Sequence, residues 1–367
     1  MKKPRILFIT PLPPPVHGSA IVSQYIKESC QIQDAFDSDF VNLSTSRSMD
    51  EIGKRNVKKF FRFVGAFLAV LFKLLFHRYD LCYLAITCHG NGFLKDAPFV
   101  LLCKLFRRKV VIHQHNKGMS EDVDRWPYRW FLPLVYRNTK VILLSWLLYK
   151  DIERVVKREQ VMICPNGIPK IKDSIREVKR NNEKPRLLFL SNLLESKGVY
   201  VLLDACRILK ERGCQFICDF VGGETKEIDR FTFENETHQR GIETMVVYHG
   251  PKFGIEKIYY WNQSDIFVFP TFHETFGLVN IEAMQWRLPI VTTDEGGIPD
   301  VVKDGVNGLI CKRKDAMSLA VALERLITEP QLRIQMGENG YLRYKNLFTL
   351  EKFEQRLCDI LSDIVVE

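Results

Sequence analysis

The chain of 367 residues is 46% hydrophobic and 26% charged. That balance excludes wholesale disorder and fibrous repeats and, at about 150 residues per domain, predicts two domains. Net charge is +9, but residues 1–185 hold 32 Lys and Arg against 17 Asp and Glu, whereas residues 186–367 hold 21 against 27. This asymmetry predicts different partners for the two halves, one of them anionic.

Met1, Lys2 and Lys3 precede an apolar run of only Ile6 to Ile9, too short for a secretory leader. The ten cysteines are scattered, with no CxxC pair and no zinc-finger spacing; reduced thiols in a cytoplasmic protein are expected. Strands are predicted at Ile6–Thr10, Leu81–Ile86, Val110–His115, Val141–Ser145 and Val161–Pro165, separated by helical patterns at Ser19–Cys30, Phe93–Phe106 and Trp146–Val156. Strands rich in Val, Ile and Leu with little alternation belong to parallel sheets covered on both faces. Between the first two strands, Phe60–Phe76 carries only Arg62 and Lys73 as charges. Basic residues precede it (Lys54, Arg55, Lys58, Lys59) and His77 and Arg78 follow. It is shorter than the roughly 20 residues of a membrane span. Two readings stand: a buried helix, or a helix lying in the membrane interface through 54–78, with residues such as Phe67 and Leu71 toward lipid and its Lys and Arg toward anionic headgroups.

Pro169–Pro185 is polar and reads as a linker. Beyond it the alternation restarts. A strand at Arg186–Leu190 leads into a helix at Ser196–Arg212, N-capped by Ser196 and stopped by Gly213. Further strands follow at Gln215–Val221, Met245–Tyr248, Ile266–Pro270 and Pro289–Thr293, and a helical tail at Leu350–Val365. The expected architecture is α/β: a first doubly wound domain over 1–170, a linker over 171–185, a second over 186–345, and a terminal helix in 346–367 packing back on the first. Two such domains are expected to face each other across a cleft, because open α/β sheets bind ligands at the carboxyl ends of their strands.

The chemistry concentrates after the strand ending at Phe269. Glu274 and Glu282 stand eight residues apart, the first in a strand-to-helix loop and the second about two turns into a helix opened by Thr275, Phe276, Gly277 and Leu278. Unpaired N–H groups and the dipole make such a helix start an anion site. Lys197 and Gly198 begin the preceding helix, where a lysine can oppose a phosphate. An ordinary capped helix and a solvated lysine are the plain alternatives for either feature alone.

Taken in order, several motifs resemble the GT-B glycosyltransferases of family 4: Pro13-Pro14-Pro15-Val16-His17-Gly18, His115, Pro165-Asn166-Gly167-Ile168, Lys197-Gly198, the Glu274/Glu282 pair and Gly296-Gly297. The resemblance implies a retaining enzyme using a nucleotide-diphosphate sugar. It places Glu282 on the ribose, Glu274 on the transferred sugar and Lys197 on the diphosphate. Thr275, Phe276, Gly277 and Leu278 would supply amides, Gly18 a close backbone approach, His115 a group beside the reaction centre, and Pro251 and Lys252 contacts near the base. Where the family has an arginine before the lysine this chain has Asn192, and the family's first-loop glycine pair is His17-Gly18. His113 competes with His115 and is expected on the opposite face of the strand. No DxD-type motif sits at a strand end, so neither a divalent cation nor another cofactor is expected. The basic first half implies a glycan acceptor that is lipid-linked, in bacterial surface polysaccharide assembly at the inner face of the membrane. A nucleotide-sugar epimerase and a non-catalytic partner subunit are the rivals. Nucleic acid is not expected, because no recognition module or aromatic-interleaved basic stripe is present.

Overall fold

The computed structural model describes residues 3–46, 57–172, 175 and 182–367. Lys54, Arg55 and much of the expected linker lie outside these residues. The chain divides into two units, Met1–Gly167 with Leu350–Glu367, and Ile168–Thr349.

Unit 1 runs β1 (Arg5–Thr10), α1 (Gly18–Glu28), α2 (Cys30–Ala35), β2 (Asp37–Asn42), α3 (Val57–Phe76), β3 (Leu81–Leu84), α4 (Gly90–Leu105), β4 (Lys109–Gln114), α5 (Met119–Asp122), α6 (Tyr128–Tyr136), β5 (Lys140–Leu143), α7 (Tyr149–Ile152) and β6 (Val161–Ile163). Its strands form one parallel sheet in the order β2-β1-β3-β4-β5-β6. The interior strands are apolar because both faces are covered: all four residues of β3 are buried, as are five of the six in β1. Strand β2 was not predicted. Its sequence, DSDFVN, is polar because it lies at an edge. Asp39 within it anchors three neighbours, accepting from Arg5 Nη2 at 3.0 Å, Lys73 Nζ at 2.6 Å and the Tyr79 hydroxyl at 2.7 Å. Burial works to raise the Asp39 carboxyl, but Lys73, Tyr79 and Arg5 outweigh it and hold it below its ordinary value.

The connections fix the layers. Moving from β1 to β2 and from β2 to β3 crosses the sheet in opposite directions, so right-handed crossovers place α1 and α2 on one face and α3, α4 and α6 on the other. The predicted Trp146–Val156 helix is shorter than expected, a single 3-10 turn at Trp146–Leu148 followed by α7.

Unit 2 runs β7 (Arg186–Leu190), α8 (Val199–Glu211), β8 (Ile217–Val221), α9 (Arg230–Gln239), β9 (Val246–Tyr248), α10 (Gly254–Gln263), β10 (Ile266–Phe269), α11 (Leu278–Gln285), β11 (Ile290–Thr293), α12 (Ile298–Val301), β12 (Gly308–Cys311), α13 (Ala316–Thr328) and α14 (Pro330–Leu347). Its parallel sheet has the order β12-β11-β10-β7-β8-β9. The first strand, β7, lies between β8 and β10, so the strand order reverses there and opens a crevice at the carboxyl ends. Strand β12, GLIC, also escaped prediction: it is short, begins at a glycine and lies at the edge.

The last helix, α15 (Leu350–Val366), returns to unit 1 and packs on α2. It buries Phe353, Leu357, Leu361 and Ile364, a stripe at helical spacing. Lys109 Nζ donates to the carbonyls of Ile364 and Val365, and Arg356 donates to the carbonyl of Pro165.

Candidate functional site

In unit 2 the loop from β10 to α11 is held open by its neighbours. The Thr271 hydroxyl donates to the Ser196 carbonyl at 3.0 Å, and Phe272 N donates to the same oxygen at 2.9 Å. Gly297 N donates to Thr275 O at 2.8 Å. Two glycines make this approach possible. Gly198 has φ +84, and a Cβ there would lie 2.2 Å from Pro270 O. Gly296 has φ +55, and a Cβ there would lie 2.3 Å from Glu274 O. Any side chain would force the lysine-bearing turn and the glutamate-bearing loop apart.

That contact brings together two of the predicted residues. Lys197 Nζ lies 2.9 Å from Glu274 Oε2 and 2.9 Å from the His273 carbonyl. Thr275 N donates to Glu274 Oε1 at 2.9 Å. Burial works to raise the Glu274 carboxyl, but Lys197 and the backbone N–H groups of Thr275 and Phe276 outweigh it and leave it below its ordinary value. A carboxylate therefore rests in a cradle of one ammonium and two amides, donor chemistry that also suits a phosphate oxygen.

Several local expectations change. The helix starts at Leu278 with Gly277 as its N-cap, so Thr275, Phe276 and Gly277 belong to the loop. Glu282 is consequently its fifth residue, little more than one turn in. Ser196 is no N-cap: it lies in a 3-10 turn, Glu195–Lys197, and Gly198 caps α8. Glu282 does not join Lys197. It accepts a hydrogen bond from Lys257 of α10. The Asn192 side-chain oxygen accepts from Gly223 N at 3.2 Å, just beyond the carboxyl ends of β7 and β8. Lys252 pairs with Glu256 at 3.5 Å.

Unit 1 holds a cavity of about 920 Å³ at the carboxyl ends of β1 to β4, the reversal point of that sheet. His17, Lys59, Lys95, Asp96, His115 and Asn116 are among its polar groups, and Phe60 and Phe63 form an apolar wall. His115 lies just beyond β4, and neither of its ring nitrogens has a hydrogen-bond partner among the described residues. Burial, with His17 nearby, pushes it down to about 4. It is therefore neutral at physiological pH and can donate from one nitrogen and accept at the other. The expectation that His113 faces away from it is wrong. Residues two apart on a strand share a face, and the two rings lie against each other with centroids 4.1 Å apart and planes tilted by 36°. His113 is fully buried and bonded to the Tyr83 hydroxyl at 2.6 Å, a structural role. Gly18 is the first residue of α1, capped by His17, whose Nδ1 accepts from Ala20 N.

Three further residues belong to these sites and were not singled out: Lys257, Glu295 and Asp96. Lys257 orients Glu282. Glu295 is 1% exposed and takes the Arg313 guanidinium at 2.7 Å, while its other oxygen faces Glu274 N at 3.4 Å. In unit 1, Asp96 accepts from Thr87 N at 3.0 Å and pairs with Lys95 at 3.2 Å. Burial raises the Asp96 carboxyl. A lone acid inside the apolar run Phe93–Phe106 is a signal the sequence does contain. Lys257 and Glu295 carry none, because their partners come from other elements. Among the described residues no three His, Cys, Asp or Glu side chains gather as metal ligands, and no helix is long and apolar enough to cross a membrane.

Comparison with known proteins gives these features a context. Residues 170–343 match the family model for glycosyl transferases group 1, so unit 2 is a domain of that kind. The capsular polysaccharide biosynthesis glycosyltransferase CapM of Staphylococcus aureus is 29% identical over 181 residues, 49% of this chain and 46% of that protein. A D-inositol 3-phosphate glycosyltransferase of Corynebacterium aurimucosum is 34% identical over 155 residues, 41% of this chain and 36% of that protein. The chain thus spans less than half the length of these two curated relatives. Solved structures agree over nearly the whole chain. Sucrose-phosphate synthase of Thermosynechococcus elongatus superposes with a TM-score of 0.76 at 18% identity, covering 99% of this chain and all of that one. HepE of Anabaena, solved with UDP and glucose, gives 0.72 at 19% identity, covering 98% and 99%. WaaG, a glycosyltransferase involved in lipopolysaccharide biosynthesis, gives 0.67 at 18%, covering 97% and 99%. Such identities speak to the fold alone, and the fold is GT-B.

Proposed function

We propose that the protein is a retaining glycosyltransferase of the family 4 type that moves a hexosyl or N-acetylhexosaminyl group from a nucleotide-diphosphate sugar to a glycan hydroxyl. The observation that carries this reading is the Lys197–Glu274 pair, set with the Thr275 and Phe276 amides at the carboxyl end of β10 in a glycosyl transferases group 1 domain. An arriving diphosphate takes Lys197 as its counter-charge and frees Glu274 to accept hydroxyls of the donor sugar. Glu282, oriented by Lys257, takes the ribose. Asn192 lines the approach of the phosphates, and Gly277 and Leu278 add the start of α11. UDP in the HepE complexes supports a nucleotide donor without naming the base for this chain.

In the reaction the bond between the anomeric carbon and the diphosphate oxygen breaks, and its electron pair stays on the phosphate. The acceptor oxygen attacks the same face, and its proton passes to the departing phosphate. Charge grows on the leaving group, where Lys197 and the loop amides meet it. His115, neutral, offers a hydrogen-bonding group in the unit 1 cavity. No step needs a divalent cation or another cofactor.

The acceptor belongs to the cavity of unit 1, where Asp96 and Lys95 can bind sugar hydroxyls or phosphate. We assign it to a lipid-linked glycan in bacterial surface polysaccharide assembly (capsule, O-antigen or exopolysaccharide), consistent with what CapM and WaaG are named for. Screening UDP-, GDP-, ADP- and CMP-sugars for protection against thermal unfolding tests the donor half. One base class should protect the wild type and fail to protect Glu282→Ala. Protection by none, or equal protection of both proteins, refutes the assignment.

A further inference from the structure

Surface helices of a doubly wound domain ordinarily bury one apolar stripe and turn a polar face to water. Three neighbouring helices of unit 1 depart from this together. In α3 two of the four charged residues point inward, Lys73 binding Asp39 and Arg62 donating to the Thr45 carbonyl at 2.7 Å, while Lys58 in the first turn is exposed. The inner apolar residues pack on α4, with Phe63 and Phe67 both against Phe99. What remains outward is Phe61, Leu68, Phe72 and Leu75, an exposed stripe at helical spacing, with Phe72 54% exposed. In α6 the large exposed apolar residues are Trp130, 64% exposed, Phe131 and Leu134, with Trp126 one turn before Trp130. Helix α4 joins the two. Phe93 meets Tyr128, and Lys104 caps α6 by donating to the carbonyls of Leu134, Val135 and Arg137.

All three helices lie on one face of the sheet and, as crossovers between parallel strands, run in one direction. Their C-terminal ends therefore fall in a row, and each ends alike. Phe76, Leu105 and Leu134 are exposed, and Arg78, Arg107 and Arg137 follow within three residues. The buried Asp96 is the sole carboxylate in α3, α4 and α6. Arg129 lies over the Trp130 ring at 5.0 Å. The opposite face of the same sheet is covered by α15 packed on α2, so this surface is specific to one side of the unit.

We propose that the outer face of α3, α4 and α6 is a docking surface for an anionic lipid bilayer, lying flat in the headgroup region with its aromatic and aliphatic side chains inserted. The charge pattern selects lipid over a protein partner. Arginines fringe an apolar field whose three helices carry no exposed carboxylate, and the neighbouring Asp124 is already paired with Arg154 at 2.7 Å, while the long arginine stems let guanidinium groups reach phosphates above buried side chains. Tryptophan beside arginine suits the same interfacial depth. The predicted interfacial helix is thus one third of the surface, and its Lys73 and Arg62 serve the protein rather than headgroups. The proposal is independent of glycosyl transfer, since its readout needs no turnover.

The test is flotation of the whole chain with vesicles containing phosphatidylglycerol, against vesicles of phosphatidylcholine alone. Wild type should float with the anionic vesicles and less so at high salt, and its tryptophan emission should shift to the blue on binding. Phe72→Glu/Leu75→Glu on α3 and Trp130→Glu/Leu134→Glu on α6 should each lower partitioning about tenfold or more while melting cooperatively. If the glutamate variants do not fold, Trp126→Phe/Trp130→Phe keeps the question open to measurement, because it should abolish most of the blue shift without changing the fold. Absence of flotation, loss confined to the α3 variant, or a wild-type dimer that the Phe72→Glu/Leu75→Glu variant splits would each overturn the proposal.

Discussion

Replacing Lys197 with methionine separates the roles assigned to the loop after β10. The substitution keeps the length and apolar stem of the side chain and removes one ammonium that lies 2.9 Å from both Glu274 Oε2 and the His273 carbonyl. Hydrogen bonds to charged groups contribute about 1.5–3 kcal/mol, so loss of one such contact to a diphosphate weakens nucleotide binding about 10- to 100-fold. A contact that strengthens as charge grows on the leaving phosphate lowers kcat as well, by about 100-fold or more. The substitution also acts on Glu274. In the wild type Lys197 and the two loop amides outweigh burial and hold that carboxyl below its ordinary value. Without the ammonium, burial gains, and the carboxyl titrates at higher pH than in the wild type. Since the ionised form is the one that accepts sugar hydroxyls, the acidic limb of kcat/KM moves toward neutrality in Lys197→Met. Lys197→Arg keeps the charge and should leave the limb in place. The assay is the release of nucleoside diphosphate across a pH series, with nucleotide affinity measured by calorimetry. An unchanged affinity, or an acidic limb that stays put in Lys197→Met, refutes this assignment of the pair.

Four further outcomes follow from the same geometry. Glu282→Ala should weaken nucleoside diphosphate binding about 10-fold or more, and Lys257→Met should weaken it less; the double variant should fall short of the sum, because Lys257 acts through Glu282. His115→Phe should lower kcat with little change in nucleotide affinity. The wild-type rate should show no ionisation from this histidine between pH 5 and 8, since its ring stays neutral down to about 4; a kcat limb near pH 6.5 that disappears in His115→Phe contradicts that. Gly198→Ala forces a Cβ toward Pro270 O at a backbone of φ +84; it should cost about 1–3 kcal/mol, visible as a lower Tm, together with weaker nucleotide binding. Treatment with EDTA should leave turnover unchanged, and a rate restored only by adding Mg²⁺ or Mn²⁺ would contradict the metal-free mechanism.

How much of this was legible in the sequence depended on whether a residue's partners were near it in the chain. The interior strands were readable because burial on both faces leaves an unbroken apolar run, as in β3 and β10. The edge strands β2 and β12 were not, since an edge tolerates Asp, Ser and Gly. Missing β2 had a consequence. With Asp39 unplaced, nothing paired Lys73, and one of the two readings of α3 turned that lysine toward headgroups, whereas it binds Asp39. In unit 2 the individual members of the site stood out by motif, but their association did not. Lys197 and Glu274 are 77 positions apart and meet only because Gly198 lets one backbone pass against another. Lys257 has no local signature at all, and its role follows from helix α10 lying beside α11 at that point. The two histidines separate only by what surrounds them: His113 has a tyrosine partner, and His115 faces a cavity.

The measurement closest to the central claim uses whichever nucleotide sugar protects the protein. That donor is incubated with enzyme in the presence and absence of a polyprenyl-diphosphate-linked glycan, and both the nucleoside diphosphate released and the anomeric configuration of the product are followed by NMR. The account predicts release that depends on the acceptor and a product with the donor's configuration. An isomerised donor without acceptor, an inverted product, or no turnover with any donor and acceptor pair would contradict it.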